Sequence, residues 1–216
     1  GQLLPLGLQH VVAAVVGVIT PAILVADTCG LSSADKTLMI QVSLILTALA
    51  TLLQLFPIFH RIGSGLPVIM GISFAYIPTF QAIGGEFGLP TILGAEIVGG
   101  IVAIVFGVLV KWIRPLFPPL VTGTVIFTIG LSLYPTAVKY MAGGAGSEWF
   151  GSAKSWAVAL ITLAVVVFLN HFTKGITKLA SILIGILAGY VIAYFLGIVD
   201  LSGVGSAAWV ALPRPM

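Results

Sequence analysis

Gly63-Ser64-Gly65-Leu66-Pro67-Val68-Ile69-Met70-Gly71-Ile72-Ser73-Phe74-Ala75-Tyr76-Ile77-Pro78 lies within a run, Ile62–Gly85, that contains no Asp, Glu, Lys or Arg. A run of that length and polarity belongs in a bilayer, yet it is badly suited to one continuous helix. Pro67 and Pro78 each remove a backbone donor, and Pro78 disfavours helix at Ile77. Gly71 permits unusual dihedrals or a close backbone approach. Between the prolines the residues are largely β-branched or aromatic, which suits extended chain. The pattern predicts a broken span with an extended piece around Ile72–Tyr76. A helix merely kinked at two prolines is the alternative, and the residues alone leave both open. Irregular backbone at membrane depth is tolerated only where protein or a cavity satisfies it. Its free N–H and C=O groups could bind a planar polar ligand.

Working outward, the rest of the chain has the same character. Of 216 residues, 59% are hydrophobic and 7% are charged, and the mean hydropathy is +1.21. A soluble domain carries about 25% charged residues. Besides Ile62–Gly85, apolar runs cover Gln2–Ala26, Thr37–Phe59, Phe87–Val110 (broken by Glu96), Pro115–Val138, Ser155–Thr173 and Leu179–Val199. Each approaches the ~20 residues that a helix needs to cross a bilayer core. The count is seven spans. Helix is the default for each because lipid offers no backbone partner. A β-barrel is excluded, since its strands would alternate in polarity and these runs do not. The fold class is an all-α polytopic membrane protein.

The loops orient it. The turns after spans two, four and six hold Arg61 (beside His60), Lys111, Arg114, Lys174 and Lys178 and no acid. The turns after spans one, three and five hold Lys36, Lys139 and Lys154 with Asp27, Asp35, Glu86 and Glu148. Five basic residues against three place the N-terminus in the cytoplasm. An odd number of spans leaves the end of span seven outside, so a second copy of the unit would enter inverted, as many transporters are built. The start at Gly1 and the end at Met216 in a Pro-rich stretch read as a piece of a longer chain. Nothing resembles a cleaved signal peptide.

Several classes of function are excluded. The net charge of +3 comes with only nine scattered Lys and Arg, too sparse for a phosphate-binding patch, so no nucleic acid partner is expected. Cys29 is the only cysteine, which excludes an internal disulfide and a cysteine-based metal site. No GxSxG, HExxH, Walker A or GxGxxG pattern is present. No enzyme activity, cofactor or metal is expected.

Polar groups inside the runs therefore stand out. Gln9 and His10 lie in the first, Gln41 and Gln54 in the second, and Glu96 in the fourth. Intramembrane ionisable groups usually face a bundle interior or a wet cavity. His10 either lines a substrate cavity or is a neutral imidazole gluing helices together, and the residues do not choose between these. Gln9 reads as glue, and Gln41 and Gln54 as glue or interfacial groups. Glu96 is a proton-relay candidate, an interior hydrogen-bonding group, or a group close enough to the outer interface to be wet. Gly185 and Gly189 form a small-xxx-small pair, and Gly94, Gly99, Gly100 and Gly107 stud the fourth run, as for close helix crossings. Trp112, Trp149, Trp156 and Trp209 sit at or beyond run ends, where an aromatic belt belongs.

Gln9-His10, Gly71-Ile72-Ser73-Phe74-Ala75, Pro118-Pro119-Leu120-Val121-Thr122-Gly123 and Gly130-Leu131-Ser132-Leu133 resemble, in order and in position, the nucleobase–ascorbate transporter family, also called nucleobase:cation symporter-2. The likeness covers essentially the whole chain and is nearest to bacterial uracil/xanthine and urate/xanthine permeases. It implies two inverted repeats of seven spans, of which this chain is the first, forming the N-terminal half. Residues 1–110 would give half of a core domain, 111–199 half of a gate domain, and 200–216 a linker toward an eighth span. Substrate would bind between a short strand in span three and its counterpart in span ten. The main-chain amide of Phe74 would contact the base, with Ser73 and Ala75 beside it, His10 supporting the site, and Gln9 and Glu96 in secondary roles. The family's principal carboxylates lie in spans eight and ten, outside this chain, so the chain alone is expected neither to transport nor to bind substrate well.

The resulting expectation is a proton-coupled importer of a base such as xanthine, urate or uracil in the inner membrane. It would work by an elevator-like motion, with the second repeat of the same polypeptide and a homodimer as partners. An anion transporter of the sulfate-permease type, or a non-transporting structural half, is the alternative.

Overall fold

The computed structural model describes residues 3–58 and 62–206. His60, Arg61 and Trp209 lie outside them, as does the Gln9 side chain. Eight α-helices follow one another: α1 Leu3–Thr28, α2 Ser33–Leu55, α3 Ile77–Phe87, α4 Leu89–Ile113, α5 Pro119–Met141, α6 Ala153–Phe172, α7 Ile176–Leu179 and α8 Ser181–Phe195. Among the described residues there is no strand, only one isolated antiparallel bridge between Ile58 and Ile62. The protein is an all-helical, multi-pass membrane protein.

Among the described residues five helices are long and apolar enough to cross a membrane, against the seven that the apolar runs predict. The two differences have local causes. The seventh run is divided at Ala180, leaving α8 at 15 residues. The third run is not helical throughout. Residues 64–73 take no regular secondary structure. The extended piece expected over Ile72–Tyr76 is not found in that form: Ser73 is extended (φ −86°, ψ 126°), but Phe74–Tyr76 is a 3-10 turn. Ile77 is helical (φ −56°, ψ −47°) in spite of Pro78. Pro78 falls in the first turn of α3, where a helix has no use for the N–H that proline lacks. It starts the helix instead of ending one.

The chain forms two compact units. One consists of the described parts of Thr20–Ile40 and Ile72–Tyr134. Its core is Leu24 and Val25 of α1, Ile77 of α3 and Ile92 of α4, with Met39, Phe74, Phe80, Ile83, Leu89 and Leu133 packed around them. α3 turns into α4 at Gly88 (φ 78°). Gly84 permits the packing: a Cβ there would lie 2.8 Å from Cys29 Sγ and 2.9 Å from Ile92 Cδ1. The turn between α1 and α2 is closed by a serine N-cap. Ser32 Oγ accepts from the Asp35 N–H at 3.2 Å and donates to the Asp35 carboxylate at 2.7 Å. An ion pair joins Asp27 to Lys36.

The other unit consists of the described parts of Gly1–Ile19, Gln41–Gly71 and Pro135–Met216. Its best-packed element pair is α6 against α8. The buried residues of α8 are Ser181, Gly185, Gly189 and Ala193, each four apart and therefore on one stripe. A Cβ on Gly185 would strike the Val166 side chain, and one on Gly189 the Thr162 hydroxyl. At one end of this pair the buried Ser155 hydroxyl donates to the Trp149 carbonyl (2.9 Å). Lys154 Nζ lies 4.8 Å from the centre of the Trp149 ring and donates to the Leu196 carbonyl just past α8 (3.3 Å).

Candidate functional site

The N-terminus of the helix that begins at Phe74 is the focus. Its cap is Ser73, whose Oγ accepts from the Ala75 N–H at 3.3 Å while its carbonyl accepts from the Tyr76 N–H at 3.5 Å. The next donor, Ile77 N–H, turns back to the Phe74 carbonyl. The Phe74 N–H, first of the turn, has no acceptor among the described residues. A helix start leaves such donors over, and the aligned peptide dipoles make the spot mildly electropositive.

The rings divide their work. Phe74 is half-buried against Leu24, Val25, Ile77 and Ile92, so its ring belongs to the core. Tyr76 is 57% exposed. Its ring stacks on Phe80 with centroids 6.0 Å apart and planes 23° from parallel. The site thus offers a neutral amide donor, a cap hydroxyl and an aromatic face. That set suits a flat ring with carbonyl acceptors on its edge.

The non-helical residues upstream are held by α2. Gly65 N–H donates to the Gln54 carbonyl (2.9 Å), Met70 N–H to Thr51 Oγ1 (3.0 Å), and the Gln54 side-chain amide to Ser64 Oγ. Gly63 makes the approach possible, with φ 97° and no room for a Cβ against the Leu53 carbonyl. α2 thereby supplies partners for part of this irregular backbone, while the N–H groups of Ile69, Gly71, Ile72 and Ser73 have none among the described residues. Gln54, read from the sequence as glue or an interfacial group, bonds to the turn that follows its own helix. The anchoring role of Thr51 and Ser64 and the exposed face of Tyr76 are not apparent from the sequence reading. The Gly-Ser-Gly at 63–65 is the signal that could have pointed to the first.

Of the predicted site residues, Ser73, Phe74 and Ala75 come together in one cap. Glu96 is exposed on α4 and makes no hydrogen bond or ion pair with that cap among the described residues. His10 lies on α1 in the other unit and is exposed, with a partner of its own. It does not line the apolar cleft of about 390 Å³ formed there by Val11, Val15, Val18, Thr47, Thr51 and Ile69 among others. Cys29, in the turn after α1, is partly buried beside Gly84, and burial pushes its thiol pKa up. Among the described residues no group of three or more His, Cys, Asp or Glu could hold a metal ion.

Comparison with known proteins agrees with a transporter. The permease family described as Xan_ur_permease matches residues 1–216. The xanthine permease of Bacillus subtilis (strain 168) is 40% identical over 100% of this chain and 49% of its own length. The uric acid permease PucK of the same organism is 39% identical over 98% of this chain and 49% of its length. The uric acid transporter UacT of Escherichia coli (strain K12) is 34% identical over 100% of this chain and 45% of its length. The chain therefore spans about half the length of these relatives. Their names are those of transporters and not of enzymes, and none implies a cofactor. A match over every residue, carried by a helical membrane fold, means that the chain belongs to this permease family, the nucleobase:cation symporter-2 family.

Proposed function

We propose that this chain is the first repeat of a secondary transporter that carries a nucleobase across the cytoplasmic membrane in symport with protons. The observation that carries the reading is the broken third span, which presents a capped helix start with the unpartnered Phe74 amide. In transporters, half-helix ends in broken spans are where substrates are held. The relatives' names supply the substrate class: xanthine and uric acid are planar rings edged with N–H and C=O groups.

In this reading the seven-span count stands. Span three is the run from Ile62 through α3. Span seven is α7 with α8, since Ile176–Phe195 covers about 30 Å at 1.5 Å per residue, one bilayer core. Spans one to four form half of a core domain and spans five to seven half of a gate. A second, inverted repeat of the same polypeptide supplies the coupling carboxylates, and the protein works as a homodimer with its N-terminus in the cytoplasm. Ser73, Phe74 and Ala75 contact the base, and His10, Gln9 and Glu96 support the site.

The test is uptake of labelled xanthine, uric acid and uracil by cells expressing the full-length protein, with and without a protonophore. Uptake of at least one base that collapses with the proton gradient is expected. Failure of a well-inserted protein to take up any base would overturn the reading. Phe74→Pro tests the amide itself. Proline fits the first position of a helix, and Ser73 already has the extended backbone that a residue before proline requires. Losing one donor to a bound ring should weaken apparent affinity by about tenfold or more. Phe74→Ala, which keeps the N–H and loses the ring, is the control. Equal affinity for Phe74→Pro and Phe74→Ala would sink the amide contact.

A further inference from the structure

We infer that the Tyr76 ring is the aromatic face on which the base lies when its edge meets the Phe74 amide, an inference that rests on the substrate reading above. Three observations carry it. The first is availability. Of the aromatic residues in the first turns of this helix, Phe74 and Phe80 pack against the buried cluster of Leu24, Val25, Ile77 and Ile92, whereas Tyr76 is 57% exposed.

The second is direction. Helical side chains lean toward the N-terminus of their helix. The Phe80 ring thereby reaches back to Tyr76, four residues earlier, and the two stack at 6.0 Å and 23°. The same lean directs a side chain at position 76 toward the helix start, where the Phe74 N–H has no partner among the described residues. The third is support. A lone exposed tyrosine would turn freely and give up rotamer entropy on binding. Tyr76 is backed by Phe80, and Phe80 is held by the core. The face is built before the ligand arrives, which lowers the cost of using it.

The two groups divide recognition. The amide reads an acceptor on the edge of the ring, and the tyrosine reads flatness. Stacking is tolerant of substituents because every base has a π face. Tyr76 thereby contributes affinity for planar bases as a class, without selecting one among them.

The experiment uses the full-length protein and initial rates of uptake of labelled xanthine, uric acid and uracil. Tyr76→Leu removes the π face and keeps an apolar side chain of moderate size; Tyr76→Phe keeps the face and removes only the hydroxyl. With membrane abundance matched, Tyr76→Leu should raise KM about tenfold or more for whichever base is carried, with maximal rate little changed. Tyr76→Phe should stay within about twofold of the parent in KM. A merely structural tyrosine would show itself as lost abundance or maximal rate in Tyr76→Leu, with KM unmoved, and that result overturns the inference. So does a Tyr76→Phe variant as impaired in KM as Tyr76→Leu, since the hydroxyl and not the face would then be at work. If the parent carries no base at all, both this inference and the substrate reading fall. If the parent carries a base and Tyr76→Leu keeps the parent's KM, only this inference falls.

Discussion

The α6–α8 pair and the segment from Ile62 to Tyr76 solve one problem in opposite ways. Both must satisfy backbone where lipid offers no partner. In α6 and α8 each helix bonds to itself, and the glycines serve only to bring two finished cylinders together along the Ser181, Gly185, Gly189 and Ala193 stripe. Between Ile62 and Tyr76 the chain gives up regular α-helix, and some of its donors are met one at a time, by Thr51, Gln54 and Ser73 among others. The first arrangement pairs each helix interior within itself. Among the described residues the second leaves several main-chain N–H groups without a partner, that of Phe74 among them. Glycine serves both, as a small surface in one and as a positive-φ hinge at Gly63 in the other.

The sharpest way to break this comparison is to fill the helix seam. Gly185→Leu or Gly189→Leu must displace Val166 or Thr162. Overpacking of this kind costs about 1–3 kcal/mol and occasionally more. The expected outcome is the largest loss of all: a lowered Tm and a reduced yield of monodisperse full-length protein, measured by thermal melting and size-exclusion chromatography. A parent-like melt would mean that the α6–α8 seam is not close-packed.

The next test concerns the hinge. Gly63→Ala meets the Leu53 carbonyl in a backbone conformation that disfavours any Cβ. Strain of that type costs about 1–3 kcal/mol. Because Gly63 precedes the anchored segment and not the seam, the expected signature is local. Uptake should fall more than Tm does, which paired transport and melting measurements can read. If both fall together in the proportion shown by Gly185→Leu, then the hinge and the seam are one structural problem.

The smallest effect is predicted for the glycines of α4. A Cβ on Gly94, Gly99, Gly100 or Gly107 meets nothing within 4 Å. Gly99→Ala should therefore stay within about 0.5 kcal/mol of the parent in stability, with any shift on the favourable side, as alanine is the better helix former. A large loss would show that another element packs on this face, and would move α4 into the same category as α8.

Much of this was legible in the residues. Charge scarcity and run length were enough for a helical, multi-pass membrane protein, because the cost of a charge or an unpaired peptide in lipid is large and local. The small-xxx-small spacing of Gly185 and Gly189 was also readable, since a period of four maps directly onto one helix face. The same reasoning applied to the α4 glycines names no partner, because which face meets which helix is a long-range matter. Pro78 shows the limit differently: by local rules it could end a helix at Ile77 or begin one, and the packing of Ile77 into the buried cluster selects the second.

By itself, then, the sequence determined the solvent, the helical class, that the third run is interrupted and, through the ordered motifs, the family. Each of these depends on composition or on neighbours a few residues apart. Only the tertiary structure decided that residues 64–73 lean on α2 through Thr51 and Gln54, that the Phe74 ring turns inward while Tyr76 stays out, and that Phe74 opens a 3-10 turn instead of continuing a strand. Those choices compare alternative partners tens of residues apart in the chain, and no local preference of the residues concerned distinguishes between them.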